Sequence, residues 1–95
     1  MIVWKCSTDG LEPGFRDDIE KLLSDSPYEW HVMYGYRTLA EQDVLYQSYL
    51  RGGPLAAPPG HSAHNFGLAV DVQLIVNGDA IWNTEYSGWP WLPIS

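Results

Sequence analysis

Large apolar side chains alternate with small or acidic ones from Gly67 onward: Leu68, Val70 and Val72 fall on one side, Gly67, Ala69 and Asp71 on the other. A period of two is that of a half-buried strand, so the first set is expected in a core. The strand continues to residue 76 and meets Asn77-Gly78, a pair suited to the positive φ angles of a two-residue hairpin turn, after which Ala80-Ile81-Trp82 pairs back. A hairpin with one apolar face must be covered by another layer, and that requirement constrains the rest of the chain.

The covering layer is supplied upstream. Phe15, Ile19, Leu22 and Leu23 recur at helical spacing and predict a helix over 14–25, with Asp17 and Asp18 in its first turn, where the helix dipole favours acids. Ser26-Pro27 closes it, and residues 30–34 read as a strand running into Gly35, with His31 as an ordinary strand side chain. Thr38 and Glu41 form a capping-box pattern that starts a second helix at Leu39. Leu39, Val44, Leu45, Tyr49 and Leu50 are its expected apolar side, and Gly52-Gly53 its end. The reading is α+β: a small antiparallel sheet containing 30–34 and 68–76, packed against two helices. Ninety-five residues suit one domain spanning 1–95. The tail from Asn83, with Trp89-Pro90-Trp91-Leu92-Pro93, is read as irregular because prolines oppose regular structure.

A net charge of −7 argues against a nucleic-acid groove, which needs clustered Lys and Arg. No apolar run reaches the roughly 20 residues of a membrane helix, and the first six residues lack the basic start and apolar run of a signal peptide. Synthesis in the cytoplasm without membrane insertion is the expectation. Cys6 stands alone and reads as a packed small side chain.

His64 and Asp71 carry the chemistry. Imidazole and carboxylate are good zinc ligands, and the missing bulk of Gly67 and Ala69 would leave room for an ion or a peptide above the sheet. The same residues also fit a loop histidine and an exposed strand carboxylate. Arg37 precedes a helix N-terminus, where free amides already favour an anion, although a surface salt bridge would equally use it. His61, just before the motif, is placed at the edge of a cleft lined by the Gly- and Pro-rich loop 52–62.

Ser62, His64, Gly67, Ala69 and Asp71 resemble the Ser-x-His-x-x-Gly-x-Ala-x-Asp zinc motif of the D-alanyl-D-alanine carboxypeptidase and L-alanyl-D-glutamate peptidase family, which includes many phage endolysins. Gly35-Tyr36-Arg37-Thr38 resembles that family's Gly-x-Arg-Thr segment, and the similarity runs over about residues 15–83. The resemblance implies a hedgehog/D-Ala-D-Ala peptidase-like fold with zinc at the sheet face. It implies His64 and Asp71 as metal ligands and Arg37 as the residue that stabilises the oxyanion; Ser62 is read as hydrogen-bonding within the loop or to a peptidoglycan stem peptide, and His61 as a substrate contact flanking the cleft or an exposed loop residue. The implied function is a zinc-dependent peptidoglycan peptidase, acting at the cell wall after release or from a virion. The alternatives are a non-catalytic wall-binding or virion structural module, and a small metal-binding protein completed across an oligomer interface.

The family places an acidic general base and a third zinc-binding histidine near its C-terminus, and no histidine follows Asp71 here. The chain is therefore expected to lack that segment, or to take the missing ligand from a second chain, and to be a poor catalyst alone. Asp79 and Glu85 are the downstream acids nearest the motif, but neither lies in an acidic-x-x-His setting, so no base is assigned.

Overall fold

The structure is a computed structural model that describes residues 1–88. Its elements, in order, are β1 (Ile2–Trp4), α1 (Pro13–Ser24), β2 (Glu29–Tyr34), α2 (Leu39–Leu50), a 3₁₀ turn (Ala63–Phe66), β3 (Ala69–Val76) and β4 (Asp79–Ser87). The strands form one sheet in the order β1-β2-β3-β4. The architecture is α+β, but the sheet is mixed rather than wholly antiparallel, because β1 runs parallel to β2 while the other pairs are antiparallel. Parallel neighbours need a crossover of a dozen or more residues, and α1 supplies it.

The expected strand alternation holds where it matters: Val70 and Val72 are fully buried, joined by Val32 and Trp30 from β2 and by Ile19 and Leu23 from α1. Each such side chain contributes about 1.5–3 kcal/mol of burial. Leu68 is only half-buried. In α1, Glu12 rather than an upstream Ser or Thr caps the helix, its two carboxylate oxygens accepting from the amides of Gly14 and Phe15. With Pro13 as the first helical residue, Asp17 and Asp18 lie beyond the first turn, and Leu22 is exposed.

The second helix starts where the sequence places it. Thr38 Oγ1 accepts from the Glu41 amide at 3.1 Å, and Glu41 accepts in return from the Thr38 amide at 2.9 Å. Its packing differs from expectation. Leu39, Val44, Leu45, Tyr49 and Leu50 are all exposed, and Gln42 is the only buried residue of the helix. These apolar side chains are scattered around the helix instead of sharing a stripe, so no single orientation could bury them. One helix, not two, covers the sheet core.

At the hairpin, Asn77 and Gly78 take φ of 53° and 84°, as a two-residue turn of this type requires. The return strand does not stop at Trp82 but runs through Ser87, correcting the reading of 83–87 as irregular tail. A bulge shifts the register between Leu74 and Ile75, because Ile75 pairs with Ala80 but Leu74 with Trp82. Ile81 is thus one extra residue in β4. The Trp-Pro-rich segment read as irregular lies outside the described residues. Among the described residues, no helix is long and apolar enough to cross a membrane.

Candidate metal centre and cleft

The two segments singled out by the sequence are pinned together by their backbones. The Arg37 amide donates to the His64 carbonyl at 3.0 Å, and Asn65 Nδ2 donates to the carbonyls of Arg37 and Thr38 at 2.9 and 3.3 Å. Asn65 Oδ1 accepts from the Gly60 amide, so one side chain ties loop 52–62, the 3₁₀ turn and the start of α2 into one unit. Asn65 carries no sequence signal of its own, since its role depends on contacts 28 residues away.

His64 occupies the 3₁₀ turn rather than an open loop, and its side chain is completely buried. Its Nδ1 lies 2.7 Å from the Gly35 carbonyl oxygen, which can only accept, so Nδ1 carries the proton. That bond aims Nε2 at two carboxylates, Glu85 Oε2 at 3.1 Å and Asp71 Oδ1 at 3.4 Å. His64, Asp71 and Glu85 each bring a donor atom within 4.8 Å of the others. Three ligands held tetrahedrally at about 2.1 Å from a zinc ion sit about 3.4 Å apart. The two distances from His64 Nε2 are close to that spacing, and the Nδ1 bond to a backbone carbonyl is the arrangement that orients a metal-binding imidazole.

Glu85, considered above only as a general base, joins His64 and Asp71 as a third candidate donor. It pairs directly with Asp71 across β3 and β4, which puts both carboxylates on one face. Counting outward from the Asn77-Gly78 turn would have set Thr84 opposite Asp71. Only the extra residue at Ile81 brings Glu85 there, and no residue pattern announces that bulge. The count of donors from this chain rises from two to three.

Around the cluster, Arg37 Nη2 stands 3.7 Å from Asp71 Oδ2, and both residues border a cleft of about 610 Å³ that also takes in Tyr34, Tyr36, Asp9 and Glu41. Ser62 and His61 are not on it. Ser62 is fully buried, with Oγ accepting from the His64 amide at 3.2 Å, the hydrogen bond within the loop that caps the 3₁₀ turn. His61 is exposed and closes a local turn through its amide to the Pro58 carbonyl. His31 pairs with Glu29 within β2. Cys6 lines the cleft; burial pushes its thiol up, a backbone hydrogen bond partly offsets this, and the Asp71 charge adds to the rise.

The space expected above Gly67 is filled by protein. A Cβ there would fall on the Gly10 carbonyl oxygen and lie 2.8 Å from Glu12 N, and the Glu12 amide donates to the Gly67 carbonyl. Room for a ligand lies over Asp71 and Arg37 instead.

Burial of the His64 ring opposes its charge, but hydrogen bonds to Asp71, Glu85 and the Gly35 carbonyl outweigh it and push the pKa up to about 9, from 6.5. A group raised on folding contributes stability that is complete below its unfolded pKa and lost as pH rises through the folded one. The metal-free chain should therefore melt at a lower temperature at pH 9.5 than at pH 6.5, and His64→Ala should flatten that slope. Equal melting temperatures for the unsubstituted chain at the two pH values would contradict the observed partners of His64.

Comparison with known proteins gives a consistent family. The model of the VanY family, D-alanyl-D-alanine carboxypeptidase, matches residues 15–89. The peptidoglycan L-alanyl-D-glutamate endopeptidase CwlK of Bacillus subtilis (strain 168) is 43% identical over 61 residues, which are 60% of this chain and 36% of that protein. The L-alanyl-D-glutamate peptidase of Escherichia phage T5 is 28% identical over 79 residues, 83% of this chain and 56% of that protein. A D-alanyl-D-alanine carboxypeptidase of Enterococcus faecium is 36% identical over 58 residues, 61% of this chain and 18% of that protein. The chain thus spans 18–56% of the length of these relatives.

Proposed function

The chain belongs to the VanY D-alanyl-D-alanine carboxypeptidase family, and on that footing we propose that it is a zinc-dependent peptidase of peptidoglycan stem peptides. The observation that carries the reading is the convergence of His64, Asp71 and Glu85 on one another, with Asp71 and Arg37 lining the adjoining cleft. His64, Asp71 and Glu85 would hold the ion. Zinc held by three protein ligands lowers the pKa of water and polarises a carbonyl, which is the chemistry amide hydrolysis needs.

The protein's own groups would do the rest. The Gly35 carbonyl keeps the His64 proton on Nδ1 and its Nε2 lone pair toward the site. Arg37, cationic and largely buried, would stabilise negative charge developing on the scissile carbonyl oxygen. Of the bonds in a stem peptide, the L-alanyl-D-glutamate bond is the first to test. Of the three relatives, that of highest identity and that with the widest coverage of this chain both carry that bond in their names.

The test is to load the protein with zinc, measure metal per chain, and incubate it with purified peptidoglycan while following release of new amino termini. One zinc per chain is expected, with a chelator-sensitive release of amino groups that is slow, because no general base is assigned and its absence costs about 10²–10⁴-fold in rate. Zinc bound without cleavage would favour a non-catalytic wall-binding module. Failure to bind zinc at all would remove the metal reading.

A further inference from the structure

Gln42 is a fully buried polar residue and the only buried residue of α2. A primary amide with no apolar reason to be inside must have both ends satisfied, and here each partner is of one kind only. Arg37 Nη1 donates to Gln42 Oε1 at 2.8 Å, and Gln42 Nε2 donates to the Ala57 carbonyl at 2.8 Å. A guanidinium cannot accept and a carbonyl cannot donate, so the orientation of the amide is settled by its partners.

These bonds belong to a longer chain of contacts. From the Ala57 carbonyl in loop 52–62 it passes through Gln42 to one Arg37 nitrogen, from the other Arg37 nitrogen to Asp71 Oδ2, and from Asp71 Oδ1 to His64 Nε2. The Arg37 side chain has several rotatable bonds, and an ion pair at 3.7 Å restrains it only loosely. A short hydrogen bond from a rigid, buried acceptor is what fixes its plane. We propose that Gln42 is a positioning residue that holds the Arg37 guanidinium in register with the metal cluster and couples it to loop 52–62. This rests on the role given above to Arg37 for its effect on turnover, but not for its effect on Arg37 itself.

Two substitutions separate positioning from packing. Gln42→Met keeps the volume and removes both hydrogen bonds, whereas Gln42→Glu keeps a charged acceptor for Arg37 and puts an oxygen that cannot donate against the Ala57 carbonyl. Proton NMR of protein labelled with ¹⁵N arginine reads the Arg37 Nη protons, whose exchange and rotation slow when the guanidinium is anchored. We expect that slow signal in the unsubstituted chain and in Gln42→Glu, and its loss in Gln42→Met. In hydrolysis, Gln42→Met should lower kcat by about 10²-fold, the scale of a misplaced catalytic group, with KM little changed. Zinc affinity should stay constant. In an Arg37→Ala background, Gln42→Met should cost nothing more in kcat. A slow Arg37 signal that survives Gln42→Met, or a full loss of kcat added on top of Arg37→Ala, would overturn the proposal. If no variant hydrolyses peptidoglycan, the peptidase reading fails, and the NMR signal alone decides whether Gln42 anchors Arg37.

Discussion

Gly67→Ala is expected to remove a large share of the protein's folding stability. Gly67 takes φ of +69°, a left-handed conformation that costs an alanine about 1–2 kcal/mol. The larger effect is steric, since the added methyl would meet the backbone of Gly10, Leu11 and Glu12, none of which can rotate away. Overpacking of this kind adds about 1–3 kcal/mol, so the total is about 2–5 kcal/mol in a small domain whose whole stability is about 5–15 kcal/mol. Gly78→Ala is the control, with φ of +84° but open space around it, and should show the conformational cost alone. Urea denaturation of the two variants checks this. Equal losses would mean that the 10–12 backbone does not press on Gly67.

His64→Ala should abolish the metal site and weaken the metal-free fold together. Losing an outer hydrogen-bond partner of a metal ligand typically costs about 10–100-fold in affinity, and losing a ligand from a set of three should exceed that. The same change strips a partner from Asp71, Glu85 and the Gly35 carbonyl. A buried group left without its partner costs about 1–3 kcal/mol. Competition with a chromophoric chelator measures the first effect and thermal melting at pH 7 the second. Zinc affinity unchanged in His64→Ala would place the metal elsewhere or nowhere.

How much of this was legible in the sequence depended on the range of the chemistry involved. The Asn77-Gly78 turn and the Thr38–Glu41 cap are settled within four residues, and both came out where the residue types put them. Val70 and Val72 were found because a strand period of two is also local. β1 was missed: three residues carry no pattern, and their pairing with β2 is parallel and distant in the chain. The packing of α2 departs from its apolar composition because Leu39, Val44, Leu45, Tyr49 and Leu50 do not share one side of the helix. At the site, His64, Asp71 and Arg37 were named from motif and spacing, and the fold brings them together. Ser62 makes a hydrogen bond within its own loop, whereas His61, expected at the cleft edge from its place in sequence, does not line the cleft. Glu85, Gln42 and Asn65 depend on a bulge and on long-range hydrogen bonds, which leave no imprint on local pattern.

The side-chain hydrogen bonds that assemble the cluster each close a long loop. His64 meets Gly35 across 29 residues, Asn65 meets Arg37 across 28, and Glu85 meets His64 across 21. Closing loops of that length costs entropy that only the paired sheet can offset, so non-local contacts of this kind form late and cooperatively. No short peptide cut from this chain holds the donors and their orienting partners at once. The cluster is a product of completed topology rather than a nucleus for it, and its integrity reports directly on whether the whole sheet has closed.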